Sequence, residues 1–529
     1  MGQTIGIDFG TTNTVVSFKN KKGKIICLRG ENNSKSIPTA LYFLSKNDYV
    51  IGEKALKLAD AANIEPIVSF KSHLNENRFR YNVVCEDGSS FKLSAKKATT
   101  YFLSKIINSV QDRVIKVFGA VDGYIEKAII TVPAKFSTAS KEEIRDAAIA
   151  AGLSDVEMTL EPTAAAAAAY QALEETNPVT TMLVYDFGGG TFDISVMQAT
   201  KKENHIKYEQ IYTAGDKELG GNDVTYLIAC DILEKVNEAY DLDMEFDEDV
   251  SGLYRFIHQD SYDGDLPYNL YRENVKKITD AAEHIKINYE TGSEIINIQT
   301  EDGLESFDYE YTTKQIERII FPKIARTVQI TQESLNRVKE TGVEPDNVVL
   351  AGGSSNIPMV HTQLEQIIPI EIEAFDEITE LISKGAVVLN ENSLNEVTNI
   401  TSNAYGIIVS EGNIYDKFET LVPINTPLPV KAERTFYLNE NNQQKLEIKL
   451  YGHDIQNYPH AKRAMHEGIS VEQVYEINLP NGLKRTETET KLTFVFERDG
   501  SVNIKVRVFS KGVLVNDEEV TIHRDSNME

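Results

Sequence analysis

The order of apolar and polar positions divides the chain in two. Up to about residue 390, short apolar runs ending in glycine-rich turns alternate with stretches of helical spacing; beyond it, a period of two takes over. Thr4–Phe9 and Thr14–Phe18 read as strands around Gly10-Thr11-Thr12, and Gly23 closes a further hairpin into Lys24–Leu28. Ala128–Val132 is a buried strand ending at Pro133, and Ser140-Lys141-Glu142-Glu143 predicts a capping box for a helix ending near Gly152. Glu161-Pro162-Thr163 followed by six alanines predicts a helix N-terminus, and alanine on every face predicts close packing on more than one side. Gly220-Gly221-Asn222-Asp223 introduces a helix through Lys235; residues 241–265 are acidic and irregular; Tyr271–Tyr289 is helical in spacing; Ile378–Leu389 is a closing helix.

Residues 392–403 are polar and read as a linker. After them Leu446, Ile448 and Leu450 alternate, as do Leu492, Phe494 and Phe496. Asp499-Gly500 is a hairpin turn before Val502, Ile504, Val506 and Val508. This is the pattern of a β-sandwich.

The most informative stretch is Leu183–Met197, LVYDFGGGTFDISVM. It reads as a hairpin whose glycine turn (Gly188, Gly189, Gly190) exposes backbone N–H groups, with Asp186 and Asp193 at its mouth. Such a turn cradles an anion, and two carboxylates facing that anion call for Mg²⁺ between them. Asp8-Phe9-Gly10 repeats Asp186-Phe187-Gly188, so two related lobes, each with a phosphate hairpin, clamp one nucleotide. Strand–turn–strand geometry separates this device from a P-loop or a Rossmann unit. Val348–Ser354 adds a strand running into a Gly-Gly turn. By spacing alone, Lys71 after an apolar run is a solvated lysine, Glu161 a helix-terminus charge, and Glu283 with Lys286 a surface ion pair.

Composition narrows the class. A chain of 529 residues holds roughly two to four domains. A net charge of −27 argues against nucleic acid or anionic membranes as partners. Cys27, Cys85 and Cys230 lack metal-ligand spacing, no secretory leader is visible, and no stretch has the length of a membrane helix, which points to the cytoplasm.

Taken together, GIDFGTTNTVVSF, ITVPAKF with EPTAAAAAAY, LVYDFGGGTFDISV, LGGND and AGGSSNIPMV, in this order, resemble the Hsp70 (DnaK) chaperone family. The resemblance implies a two-lobed actin-like (duplicated ribonuclease H-like) α/β ATPase domain over 1–390, a linker at 391–403 and an all-β substrate-binding sandwich over 404–525. It implies ATP/ADP and Mg²⁺ as cofactors. Gly10, Thr11, Thr12, Asn13 and Gly188–Gly190 would hold phosphates, and Asp8, Asp186 and Asp193 would hold Mg²⁺ largely through its waters. Lys71 would place the attacking water and Glu161 orient it, Thr191 would bond the γ-phosphate, and Asp186 would serve in catalysis as well as at the metal. Gly220, Gly221, Glu283, Lys286, Gly352, Gly353 and Ser354 would complete the nucleotide site. Pro133 and Lys141 match positions that relay the nucleotide state outward. Ile407, Phe436, Leu446 and Ile448 match positions lining a cleft for unfolded or extended polypeptide. A J-domain co-chaperone and a nucleotide exchange factor are the implied partners.

The chain departs from the family pattern in four places. Asn356 stands where an arginine commonly stacks on adenine, and Ile287 where an arginine follows the helix lysine. The linker reads Asn395-Glu396-Val397-Thr398-Asn399 instead of a leucine run, which predicts weakened coupling between domains. No helical lid or tail follows the sandwich, which predicts fast peptide release. The expected function is an ATP-dependent chaperone. The alternatives are a nucleotide-state sensor or scaffold for one dedicated partner, with slow or no turnover, and an actin-fold small-molecule kinase.

Overall fold

The structure, a computed structural model, describes residues 2–520 apart from 31–32, 63, 77, 119–123, 174–176, 247–261, 369, 371, 374–377, 392–394 and 412–413. Most of the acidic segment expected at 241–265 lies outside the described residues.

The first lobe is built on β1 (Gly2–Phe9), β2 (Asn13–Lys19), β3 (Ile25–Cys27), β4 (Tyr124–Val132), helix α1 (Thr138–Ala150) and β5 (Val156–Leu160). Its sheet runs β5-β4-β1-β2-β3. Helix α2 (Glu161–Ala172) leads to the second lobe: β6 (Val179–Phe187), β7 (Phe192–Lys201), β8 (Ile206–Asp216), α3 (Gly221–Tyr240), α4 (Tyr268–Ile287), β9 (Asn347–Ala351) and α5 (Leu381–Glu391). In each lobe an antiparallel hairpin is flanked by a parallel strand. Asp8 pairs with Val15 in β2 and Thr131 in β4, while Asp186 pairs with Asp193 in β7 and Ala351 in β9. The repeat read in the sequence is thus a repeat of structure.

The alanine helix explains how the lobes meet. Ala164–Ala167 and Ala169 are wholly buried, and α2 crosses α5 so closely that a Cβ on Gly385 would lie 1.7 Å from the Ala164 carbonyl oxygen. Side chains longer than a methyl would hold the helices apart.

Several boundaries shift. The cap of α1 is Ser137, whose hydroxyl accepts from the Ser140 N–H, so the expected Ser140 box starts three residues too late. Ser140 is the residue being capped. Helix α3 runs past Lys235 to Tyr240 because no breaker intervenes before Asp241, which takes the left-handed conformation. Glu161 begins α2 instead of preceding it, and Leu381 begins α5 after a 3₁₀ turn at Ile378–Glu380.

The linker is docked. β10 (Glu396–Thr398) adds to the edge of the second sheet, parallel to β8, with Val397 opposite Tyr208. The Ile206 N–H donates to the Asn395 side chain at 3.0 Å. A strand is held through its backbone, which polar side chains do not weaken, so the missing leucines do not prevent docking.

The C-terminal part is a sandwich of two antiparallel four-stranded sheets. One is ordered β12 (Ile414–Val422), β11 (Ala404–Glu411), β14 (Lys445–His453), β15 (Ile469–Asn478); the other β13 (Val430–Tyr437), β16 (Thr488–Phe496), β17 (Val502–Ser510), β18 (Val513–Val520). The alternating residues Phe494, Phe496, Ile504 and Val506 fill its core. No helix among the described residues is long and apolar enough to cross a membrane.

Candidate functional site

The two glycine hairpins face each other. Within the second, the Gly188 N–H donates to the Thr191 carbonyl at 3.0 Å, closing the turn. A Cβ on Gly189 would lie 2.4 Å from Thr12 Oγ1, so the hairpins meet at a point only glycine permits. Asn222 and Gly221 N–H groups donate to the Gly189 and Gly188 carbonyls, and Ser354 Oγ donates to the Gly188 carbonyl at 3.0 Å. Gly352 has φ +78°, and its missing Cβ leaves room for Asp186 Oδ1. The turn after β9 is therefore locked against the hairpin of β6 and β7.

These elements surround one cavity of about 780 Å³, lined by Asp8, Gly10, Thr11, Thr12, Asn13, Lys71, Glu161, Asp186, Gly188–Gly190, Thr191, Glu283, Lys286, Gly352, Gly353 and Ser354. Three predicted residues stand behind its wall. Gly220 and Gly221 back the glycine turn, and Asp193 is buried beside Thr191, whose side chain hydrogen-bonds to it.

The sequence signal for Lys71 and Glu161 was weak, and the fold decides their status. Both side chains are buried, and Lys71 Nζ donates to Glu161 Oε1 at 3.1 Å. Neither is a solvated surface charge. Glu283 and Lys286 also pair, at 2.6 Å, with Lys286 buried against α3; Thr225 Oγ1 donates to the same Glu283 oxygen at 2.6 Å. Ile287 and Asn356 line the cavity mouth, and Asn356 turns its amide back onto the Gly353 carbonyl at 3.2 Å.

Four carboxylates (half-buried Asp8 and the buried Glu161, Asp186 and Asp193) thus share one site with buried Lys71. Burial, reinforced by Glu161, pushes Asp8 and Asp193 up to about 7; burial and its acidic neighbours push Asp186 well above the usual carboxylate range. Buried Asp193 Oδ1 has no hydrogen-bond partner among the described residues. Such an excess of desolvated negative charge fits a divalent cation. No group of three carboxylate, imidazole or thiol side chains among the described residues converges to ligand geometry.

Sequence reasoning left unassigned a set of cavity residues from outside the hairpins. Lys135, Phe136 and Ser137 follow the strand β4, and Asp454, Gly468 and Glu472 come from the sandwich. The lysine lay in plain view within ITVPAKF; the sandwich residues carried no local signal.

The sandwich docks beside this cavity. Arg145 Nη2 bonds Asp499 at 2.6 Å, Lys141 Nζ donates to the Asp499 carbonyl at 3.1 Å, and Thr138 Oγ1 to the Gly500 carbonyl at 3.2 Å. The predicted Asp499-Gly500 turn therefore sits on α1, where Lys141 was expected to pass a signal outward. Gln456 Nε2 donates to the Thr213 carbonyl of β8 at 2.8 Å. Ile407, Phe436, Leu446 and Ile448 gather in the sandwich core, away from the cavity. Ile407 and Ile448 are only 4% and 6% exposed, while Phe436 and Leu446 are partly buried.

Comparison with known proteins agrees with this arrangement. A family profile described as "Hsp70 protein" matches residues 4–256 and 245–528. The "Chaperone protein DnaK" of Thermotoga petrophila is 26% identical over 523 residues, covering 96% of this chain and 78% of that protein. That of Mycoplasma mycoides is 27% identical over 535 residues, covering 99% and 80%. The "Chaperone protein dnaK1" of Prochlorococcus marinus is 27% identical over 478 residues, covering 85% and 65%.

Proposed function

The chain belongs to the Hsp70 family of chaperones, and from that premise we propose that it binds and hydrolyses ATP to control the holding of extended polypeptide in its sandwich. The observation that carries this reading is the pair of facing glycine hairpins around half-buried Asp8, the buried acids Asp186 and Asp193, and the buried Lys71–Glu161 pair. Backbone N–H groups of both turns would take the phosphates. The Lys71 ammonium would carry charge developing on the γ-phosphate, Glu161 would fix the water that Lys71 positions, and the Thr191 hydroxyl would bond a γ-oxygen. Asp8, Asp186 and Asp193 would hold Mg²⁺ through its waters, and the ion would supply neutralisation of the phosphate charge. Glu283 and Lys286 would flank the nucleoside; with Asn356 and Ile287 at the mouth, the base would lack a stacked guanidinium. A J-domain co-chaperone and an exchange factor would be the partners of such a cycle, which we place in the cytoplasm.

A second reading, a nucleotide-state scaffold for one dedicated partner, draws on the burial of Ile407 and Ile448, two of the four residues matched to the peptide cleft. Dissociation of a fluorescent Leu-rich peptide, with ADP and then with ATP, separates the two. Faster release with ATP, lost in Asp193→Asn, supports the chaperone. Equal release in both states makes the sandwich a passive holder. No peptide binding alongside retained ATP binding favours the scaffold.

A further inference from the structure

Lys135 is a cavity-lining ammonium that the sandwich holds by its other side. It follows Pro133 at the end of β4, and its side chain is only 7% exposed. Nζ donates to the Gly215 carbonyl at 3.0 Å and to Asp454 Oδ1, on the sandwich, at 3.2 Å. Asn457 closes the arrangement, donating to Asp454 Oδ2 at 2.8 Å and to the same Gly215 carbonyl at 3.2 Å.

On the cavity side, Gly215 is the strand partner of Asp193, and a Cβ there would fall 3.1 Å from Asp193 Oδ1. The Lys135 charge reaches this acid, opposing the effect of burial on it. An ammonium has three donors, and two are spent on Gly215 and Asp454. The acids outnumber Lys71 at the site, and a bound phosphate would add further negative charge. Lys135 therefore lies between two competing attractors, the phosphate end of the cavity and Asp454.

We propose that Lys135 is a further phosphate-binding residue, withheld from the phosphate end of the cavity by Asp454 while the sandwich is docked. When the segment Asp454–Asn457 leaves β8, the ammonium turns into the cavity and donates to the phosphate beside Lys71. No covalent step is involved: Lys135 adds a positive charge where negative charge accumulates. Docking thereby restrains the site through one named ion pair. The inference rests on the nucleotide reading of the cavity and assigns a role that the hairpins alone do not contain.

The test uses full-length protein and inorganic phosphate. Calorimetry first measures Mg·ADP binding, then phosphate binding to the Mg·ADP complex. A charge-assisted hydrogen bond is worth roughly tenfold or more in affinity, so Asp454→Asn, which frees Lys135, tightens phosphate binding by about that factor. Single-turnover ATP hydrolysis rises in parallel. Asp454→Glu, which keeps the charge, behaves as the parent. Adding Lys135→Met to Asp454→Asn abolishes both gains. Unchanged phosphate affinity in Asp454→Asn, or gains that persist without Lys135, overturn the proposal while leaving the ATPase reading intact. Failure of the parent protein to bind Mg·ADP overturns both.

Discussion

Thr163 Oγ1 donates to Asn399 Oδ1 across 2.9 Å, joining the helix that begins with Glu161 to the linker 236 residues away. Asn399 is buried, its amide nitrogen donates to the Arg498 carbonyl of the sandwich at 3.0 Å, and its own carbonyl accepts from the Leu428 N–H. One polar side chain thus bridges both domains where the family pattern has a run of leucines. Asn399→Leu strands the Thr163 hydroxyl and the Arg498 carbonyl, at a cost of about 1–3 kcal/mol each when buried. The expected outcome is faster proteolytic cleavage at the linker and loss of the ATP effect on peptide release. A double-mutant cycle with Thr163→Val gives a coupling of about 1 kcal/mol; zero coupling removes the bridge from the argument.

Lys71→Met leaves Glu161 buried with no cationic partner. ATP hydrolysis falls by about 10²–10³-fold, the usual loss for one preorganised charge donor, while nucleotide binding persists. Quenched-flow measurement of ADP formation decides it. Turnover at the parent rate would remove Lys71 from the catalytic assignment.

Acid groups raised by burial set a pH dependence whose sign follows directly. Asp8 and Asp193 hold their protons up to about 7 in the folded protein, against the ordinary carboxylate range near 4 when unfolded. Between these values the folded state binds more protons, so the ligand-free protein loses stability as pH rises from about 4 to about 7. A cation bound among the acids is favoured once they are ionised. The gain in Tm on adding Mg·ADP is therefore larger at pH 8 than at pH 6, readable by scanning calorimetry. An equal gain at both pH values contradicts the assignment of these acids to the metal.

Gly385→Ala tests the seam between the lobes. The new methyl overlaps the Ala164 carbonyl, and overpacking of this kind costs about 1–3 kcal/mol. A lowered urea midpoint is expected, with weaker nucleotide binding because α2 carries Glu161. Neither change would mean that the helices can slide apart freely.

The sequence by itself determined the elements whose cause is local. Glycine between two alternating runs favours a hairpin locally, so both glycine turns, their acids and the alternating strands of the sandwich were legible. The alanine run announced close packing for the same reason: it carries no bulk on any face. What only the tertiary structure decided were properties made by desolvation and by distant partners. Lys71 and Glu161 looked like solvated charges until burial paired them, and Ser140 lost its capping role to Ser137, whose hydroxyl accepts from the Ser140 N–H. The polar linker was expected to weaken coupling between the domains because its side chains were counted, whereas β10 is held by its backbone and by Asn399. Lys135 gained its meaning from Asp454 and Gly215, neither of which is near it in the chain. Charge and hydrogen bonding depend on what is excluded from around a group, and one-dimensional order does not contain that.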